Sequence, residues 1–323
     1  MTTRGIQDTA RTGFRAVEGW LFDPIPAYSL VLCRVGLGLV LFLAYLSRWP
    51  LVELIYGPSG YAGYDYHQRF PENAEVGWAV VQNFNYLQYV SSATPIWILY
   101  FLLLASSLCF ALGIRPKITG SIAFAIHVLF VDRNPGAAWG WSIMIRPFLL
   151  YTILGSRSRH WSLPRWLRER RGAAPVPTDW TCAAWPIRLY QIHLTCVFLV
   201  VWGRLDEQSW LTGQMLASAL VSRDFGRFDV DWYPYFGLLE YPAMMALILE
   251  IGAPFLLWIK PIGKFWALAL IGMFFTLAVT TSIGWWDFMV MLSLLMFLPP
   301  DWLAWVMRLR TPRLGSDGAA LST

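Results

Sequence analysis

Residues 28–47 read YSLVLCRVGLGLVLFLAYLS. A helix needs roughly 20 apolar residues to cross the hydrocarbon layer of a bilayer, and here only Arg34 interrupts such a run. Segments of the same kind recur at 95–114, 118–131, 139–154, 185–202, 236–259, 265–283 and 285–298. Those at 118–131, 139–154 and 285–298 are short, and must borrow length from flanking aromatics or pack inside the bundle. The whole chain agrees with its parts. Of its 323 residues 57% are hydrophobic and 14% are charged, against about 25% charged in ordinary soluble domains. The expected fold is an all-α membrane protein, a polytopic bundle of about eight transmembrane helices plus short interfacial helices. One domain, 28–302, lies between an N-terminal segment, 1–27, and a polar tail, 303–323.

The stretch 76–90 is aromatic and apolar but carries Gln82, Asn83, Asn85 and Gln88. Lipid penalises unpaired amides, so an interfacial or re-entrant helix is expected there. The first 27 residues hold charges and prolines and lack the pattern of a cleavable signal peptide.

Orientation follows from the basic residues. With eight spans both termini share a side. That side takes most of the 25 Lys and Arg residues, including the run RSRHWSLPRWLRERR at 157–171. The opposite side holds Arg48, Arg69, Arg133, Arg204, Arg223 and Arg227, while Arg34 and Arg146 fall within spans. Both termini are therefore expected in the cytoplasm, in a cell membrane. The net charge of +5 reflects this topology and gives no support to nucleic-acid binding. The basic, Trp-bearing run reads as a membrane-surface anchor.

Charged groups inside spans are costly, usually paired and often functional. Arg34 lies about two turns into the first span, and Glu250 lies at a similar depth in the sixth, which runs the opposite way. They are expected to form an intramembrane ion pair, either for helix packing or for chemistry. A second group gathers at the outer ends of the spans: Asp132, Arg133, Arg146, Arg204, Glu240 and Asp287. These build a polar pocket for an anionic group, or else stand as solvated lip residues beside Trp139, Trp141, Trp285 and Trp286. His127 and His193 are each mid-span. Two such histidines could hold a haem, but no covalent haem motif occurs and helix-packing histidines are common.

No Ser–His–Asp set, Gly-rich phosphate loop or metal-spaced His/Asp cluster is present, and no metal site is expected. Cys33, Cys109, Cys182 and Cys196 show no C-x-x-C spacing, so redox catalysis by these thiols is not expected.

An ordered set of motifs carries a resemblance. It opens with an arginine early in the first span, LCRVGLGLVLF (32–42). A short third span ends in an R-N-P turn, VDRNPGAAWGW (131–141), and the fourth span finishes near GSRSRHWSL (155–163). The fifth span ends in a basic residue followed by acid-x-x-x-W-x-x-G, here Arg204, Asp206, Trp210 and Gly213. Glu250 follows in the sixth span, and the set closes on MFLPPDWL (296–303). Over about residues 28–302 the chain resembles the horizontally transferred transmembrane domain family, the bacterial relatives of vitamin K-dependent gamma-carboxylase. Within it, the branch of sporulation-delaying protein B, a factor needed to mature a secreted peptide toxin, also has arginine in the fifth-span motif.

The resemblance implies that the position of the carboxylase lysine that helps deprotonate vitamin K hydroquinone is Arg204. A guanidinium, with a pKa above about 12, is no general base near neutrality. The segment matching a second basic carboxylase residue, AAWGWS (137–142), holds no histidine. Thr276 stands nearest the place where many relatives have a histidine in the seventh span. The lumenal domain that recognises peptide substrates has no counterpart after Trp302.

Three functions are therefore weighed. The leading one is a non-carboxylase factor assisting modification, maturation or export of a partner peptide or lipid at the outer face. The second is a quinone- or lipid-dependent enzyme with His127 or Glu240 in place of Arg204 as base. The third is a structural subunit of a membrane complex. The expected partners are membrane lipids and another membrane or secreted protein or peptide, with a quinone or lipid as the expected bound molecule.

Overall fold

The computed structural model describes residues 3–61, 86–134, 137–138, 140–157, 160–174, 180–205, 208–222, 225–228, 235–282 and 284–306. At its centre is helix α2 (Tyr28–Leu46), whose Leu30, Cys33, Leu37, Leu41 and Tyr45 are buried. Two small residues let neighbours close on it. A Cβ at Gly36 would collide with Leu292, and one at Gly38 would stand 2.8 Å from Ala111. Small residues permit such approach where no hydrophobic force draws helices together in lipid. The Cys33 thiol donates to the Leu292 carbonyl at 2.9 Å across the first of these contacts.

After α2 come a 3-10 turn (Trp49–Leu51), α3 (Val52–Tyr56) and a second 3-10 turn (Tyr86–Tyr89). The next four helices are α4 (Ala93–Ala111), α5 (Pro116–Arg133), α6 (Gly140–Gly155) and the basic α7 (Leu163–Arg170). Then follow α8 (Trp185–Val200, prolonged by a 3-10 turn to Arg204), α9 (Gln208–Leu211) and α10 (Gln214–Val221). The chain closes with α11 (Phe236–Leu256), α12 (Ile262–Thr280), α13 (Trp286–Leu294, prolonged by a 3-10 turn to Phe297) and α14 (Pro300–Val306). Helices α4, α6 and α13 pack on α2, α5 on α4 and α6, and α8 on α6, α11 and α13. Helix α11 packs chiefly against α8, α9, α10 and α12.

Among the described residues, five helices are long and apolar enough to cross a membrane: Tyr28–Leu46, Ala93–Ala111, Trp185–Gly203, Gly237–Leu256 and Ile262–Thr280. The chain is a predominantly helical membrane protein. The three segments read as short form α5, α6 and α13. On α11, Leu238, Tyr241, Met245 and Ile248 recur every three to four residues, Phe255 follows two turns on, and all are exposed. In water such a stripe would be a liability, whereas in a bilayer it is the solvated face.

Two features were not expected. Residues 24–26 and 181–183 pair as a two-stranded antiparallel ribbon, Pro24 opposite Ala183 and Pro26 opposite Thr181. Within the N-terminal segment, Thr3–Phe22 forms helix α1. Its Phe14, Val17 and Trp20 fall on one stripe, and Arg188 of α8 stacks over Trp20 at 4.9 Å. The end of the bundle bearing these features is termed the ribbon end. Of the segment expected as an interfacial helix at 76–90, residues 76–85 lie outside the described residues.

Candidate functional site

Glu250 sits on the buried stripe of α11. Ala243, Ala246, Leu247 and Glu250 all line a cavity of about 570 Å3 with Leu216 and Ala219 of α10, Phe274 and Leu277 of α12, and Asp287 of α13. Met215 and Phe225 in its wall are exposed, so the cavity opens to the surface there. A second cavity of about 320 Å3 shares Glu250, Phe274 and Trp286 and continues to Val200 and Val201 at the end of α8. The lining is apolar throughout, apart from two carboxylates and a few hydroxyls.

Asp287 is buried, and its Oδ2 has no hydrogen-bond partner among the described residues. Arg227 is near enough to act on it by charge. The Arg227 guanidinium itself donates to the Thr281 carbonyl, at 3.3 Å from Nε and 3.1 Å from Nη2. A carboxylate buried without a hydrogen-bond donor carries an uncompensated desolvation cost.

Gly213, the glycine of the fifth-span motif, explains how the wall closes. It caps α10 with φ +73, a conformation that glycine reaches without cost. A Cβ there would stand 2.7 Å from the Glu240 carbonyl of α11. Its motif partners Asp206 and Trp210 are not described in side-chain detail.

The expected site residues separate. Arg34 does not pair with Glu250, which corrects the intramembrane ion pair. The buried Arg34 guanidinium donates from Nη2 to the Trp161 carbonyl at 2.6 Å. Arg146 instead pairs with Asp132, at 2.6 Å. The physical reason is placement. Arg34 faces the loop after α6, while Glu250 shares a cavity wall with Val200 and Val201 at the far end of α8. Distance from a span's end in sequence fixes neither depth nor azimuth.

Arg133 is not a pocket residue either. It is fully buried at the C-terminal end of α5 and donates to the carbonyls of Tyr56 (2.6 Å), Leu87 and Gly57 (3.4 Å). Asn134 continues the clamp, with Nδ2 donating to the Ile55 carbonyl at 2.8 Å. Arg146 is held by Asp132, away from the cavity lining. Glu240 is half-buried, contributes its backbone to the contact with Gly213, and is absent from the lining. The backbone of Arg204 ends the 3-10 turn three residues after Val201, a wall residue of the smaller cavity; its side chain lies outside the described residues. Of the six outer residues, Asp287 alone lines the cavity among those whose side chains are described.

His127 is a satisfied core residue, which removes it as a stand-in base. Its Nε2 lies 2.8 Å from the Ser142 carbonyl, so that nitrogen carries the proton, and its Nδ1 accepts from the Tyr45 hydroxyl at 3.0 Å. His193 lies 3.4 Å from the Tyr151 hydroxyl against Phe148. No group of three or more His, Cys, Asp or Glu side chains suited to a metal ion occurs among the described residues.

Sequence reasoning missed Arg227 at this site, and misplaced Glu250. A signal existed for the latter. Positions 243, 247 and 250 form one helical stripe, opposite the apolar stripe through 241, 245 and 248. No protein-family model, curated protein or solved structure matches the chain.

Proposed function

We propose that this chain is a non-carboxylase membrane factor of the horizontally transferred transmembrane domain type. It holds a lipid-like molecule in the Glu250–Asp287 cavity while assisting the modification, maturation or export of a partner peptide or lipid at the outer face. The observation that carries the reading is one apolar cavity whose lining includes two carboxylates. Its volume lies within the roughly 300–1,000 Å3 usual for small-molecule sites, where a few polar groups fix orientation in an apolar wall. Carboxylates accept hydrogen bonds, so the favoured ligand is apolar with a donating head: a quinol, a lipid alcohol, an amine or a peptide N–H. Arg204, whose backbone ends the turn beside the smaller cavity, is a permanent cation.

The topology belongs to the same reading. The eight apolar helices, α2, α4, α5, α6, α8, α11, α12 and α13, alternate in direction. The ribbon end carries the basic α7, so it faces the cytoplasm together with both termini.

A second reading, a quinone- or lipid-dependent enzyme, is favoured by Asp287. A carboxylate in the cavity wall is a group able to exchange a proton with a bound hydroxyl. It replaces His127 and Glu240 in that role.

The test is mass spectrometry of quinones and lipids extracted from purified wild type and from Asp287→Asn, alongside carbon dioxide incorporation into glutamate peptides with vitamin K hydroquinone. Wild type is expected to retain a specific apolar molecule that the variant retains less, with incorporation at background. Incorporation by wild type would contradict the non-carboxylase reading. Incorporation only by Arg204→Lys would mean an intact pocket that has lost its base.

A further inference from the structure

A different cavity, of about 560 Å3, lies at the ribbon end between the 24–26 strand, the start of α8, the α11–α12 connection and the α13–α14 turn. Three cations from three places line it: Arg188 in the first turn of α8, Lys260 in the connection and Lys264 in the first turn of α12. No carboxylate is among its lining residues; Asp301 stands near Tyr28 outside that lining. The remaining wall is divided. Tyr28, Ser29 and Gln191 provide hydrogen-bonding groups, while Leu257, Ile259, Phe297 and Leu298 make an apolar slope.

The cations are held in place by neutral groups. Arg188 donates from Nη1 to the Gln191 Oε1 at 2.9 Å, and Gln191 in turn donates to the Met296 carbonyl at 2.7 Å. The Arg188 Nε is buried with no hydrogen-bond partner among the described residues. Lys264 Nζ lies 5.0 Å from the Phe265 ring and 5.3 Å from the Trp302 ring. None of the three forms an ion pair with an acid among the described residues. Like charges gathered around one hollow repel each other unless an anion lies between them.

We propose that this cavity binds a phosphate-bearing anion, the headgroup of an anionic phospholipid whose acyl chains lie along the Leu257–Ile259–Phe297 slope. Basic pockets between transmembrane helices at a membrane surface recruit such headgroups. A phosphate offers enough acceptor oxygens for the Arg188 guanidinium and both lysines at once. The site is separate from the Glu250–Asp287 cavity, which lies at the opposite end of α11 and α12. It does not depend on the reading of that cavity.

The test uses full-length protein in nanodiscs of phosphatidylcholine carrying a minor fraction of phosphatidylglycerol. Bound phosphatidylglycerol is counted by native mass spectrometry after gentle release, for wild type and for Lys260→Gln/Lys264→Gln. Both positions are at the surface or only half-buried, and the thermal midpoint serves as the control for folding. Wild type is expected to retain the anionic lipid about 30-fold more tightly than the double variant, as the loss of two surface cations implies. A parallel titration with inorganic phosphate distinguishes the sources. Displacement of the lipid at millimolar phosphate assigns recognition to the phosphate alone, whereas no displacement assigns it to headgroup and chains together. Equal retention by wild type and a folded double variant would overturn the proposal.

Discussion

Arg34 and Glu250 show how far a charged residue in a hydrophobic segment can be read without coordinates. Their presence in spans 28–47 and 236–259 was legible, as was the expectation that each needs a partner. Which partner was not, because the hydrophobic pattern of α2 is apolar on nearly every side and leaves the facing direction undefined. The structure gives Arg34 a backbone carbonyl, at Trp161, and Glu250 is among the residues that line the cavity. Removing Arg34 would leave that carbonyl without its donor, at a cost of about 1–3 kcal/mol. Arg34→Ala is therefore expected to lower the detergent melting temperature, and its effect should add to that of Glu250→Ala in a double-mutant cycle. Strong coupling between the two would restore the ion pair. His127 follows the same logic: its position was legible, but its hydrogen bonds to Tyr45 and Ser142, which make it a packing residue, come from other helices.

At the level of elements, the helices themselves were legible because a lipid-facing helix declares itself by continuous apolarity. The short segments at 118–131, 139–154 and 285–298 emerged as α5, α6 and α13. The ribbon of 24–26 with 181–183 was not legible, since three-residue strands with two prolines carry no periodic signal and pair over a long sequence separation. Arg133 was misread because a cation at the end of an apolar run looks alike whether it meets solvent or loop carbonyls. It ties α3 and the Tyr86–Tyr89 turn to α5 through three carbonyls. Charge-assisted hydrogen bonds of this kind are each worth about 1.5–3 kcal/mol. Arg133→Gln should lower thermal stability and speed proteolysis within 52–61, measured by mass spectrometry of the fragments. The ligand retained by folded Arg133→Gln should equal that of wild type. A selective loss of ligand at unchanged stability would return Arg133 to the pocket.

For the whole molecule, the account places the ribbon end in the cytoplasm and the Glu250–Asp287 cavity toward the outer face. In a Cys-free background, cysteines at Ser59 and Ser222 should react with an impermeant maleimide on intact cells, and one at Ala173 should not. Labelling of Ala173→Cys would invert the orientation. The central claim, that a lipid-like molecule occupies the cavity between α10, α11, α12 and α13, is tested most directly by photo-crosslinking. A photoactivatable lipid or quinone analogue is bound to the purified protein, and the labelled residues are located by tandem mass spectrometry with and without excess unlabelled ligand. Saturable labelling is predicted at Leu216, Leu247 and Phe274, while Met245 and Ile248 on the lipid-facing stripe of α11 label without saturation. Labelling confined to that outer stripe, unaffected by competitor, would contradict it.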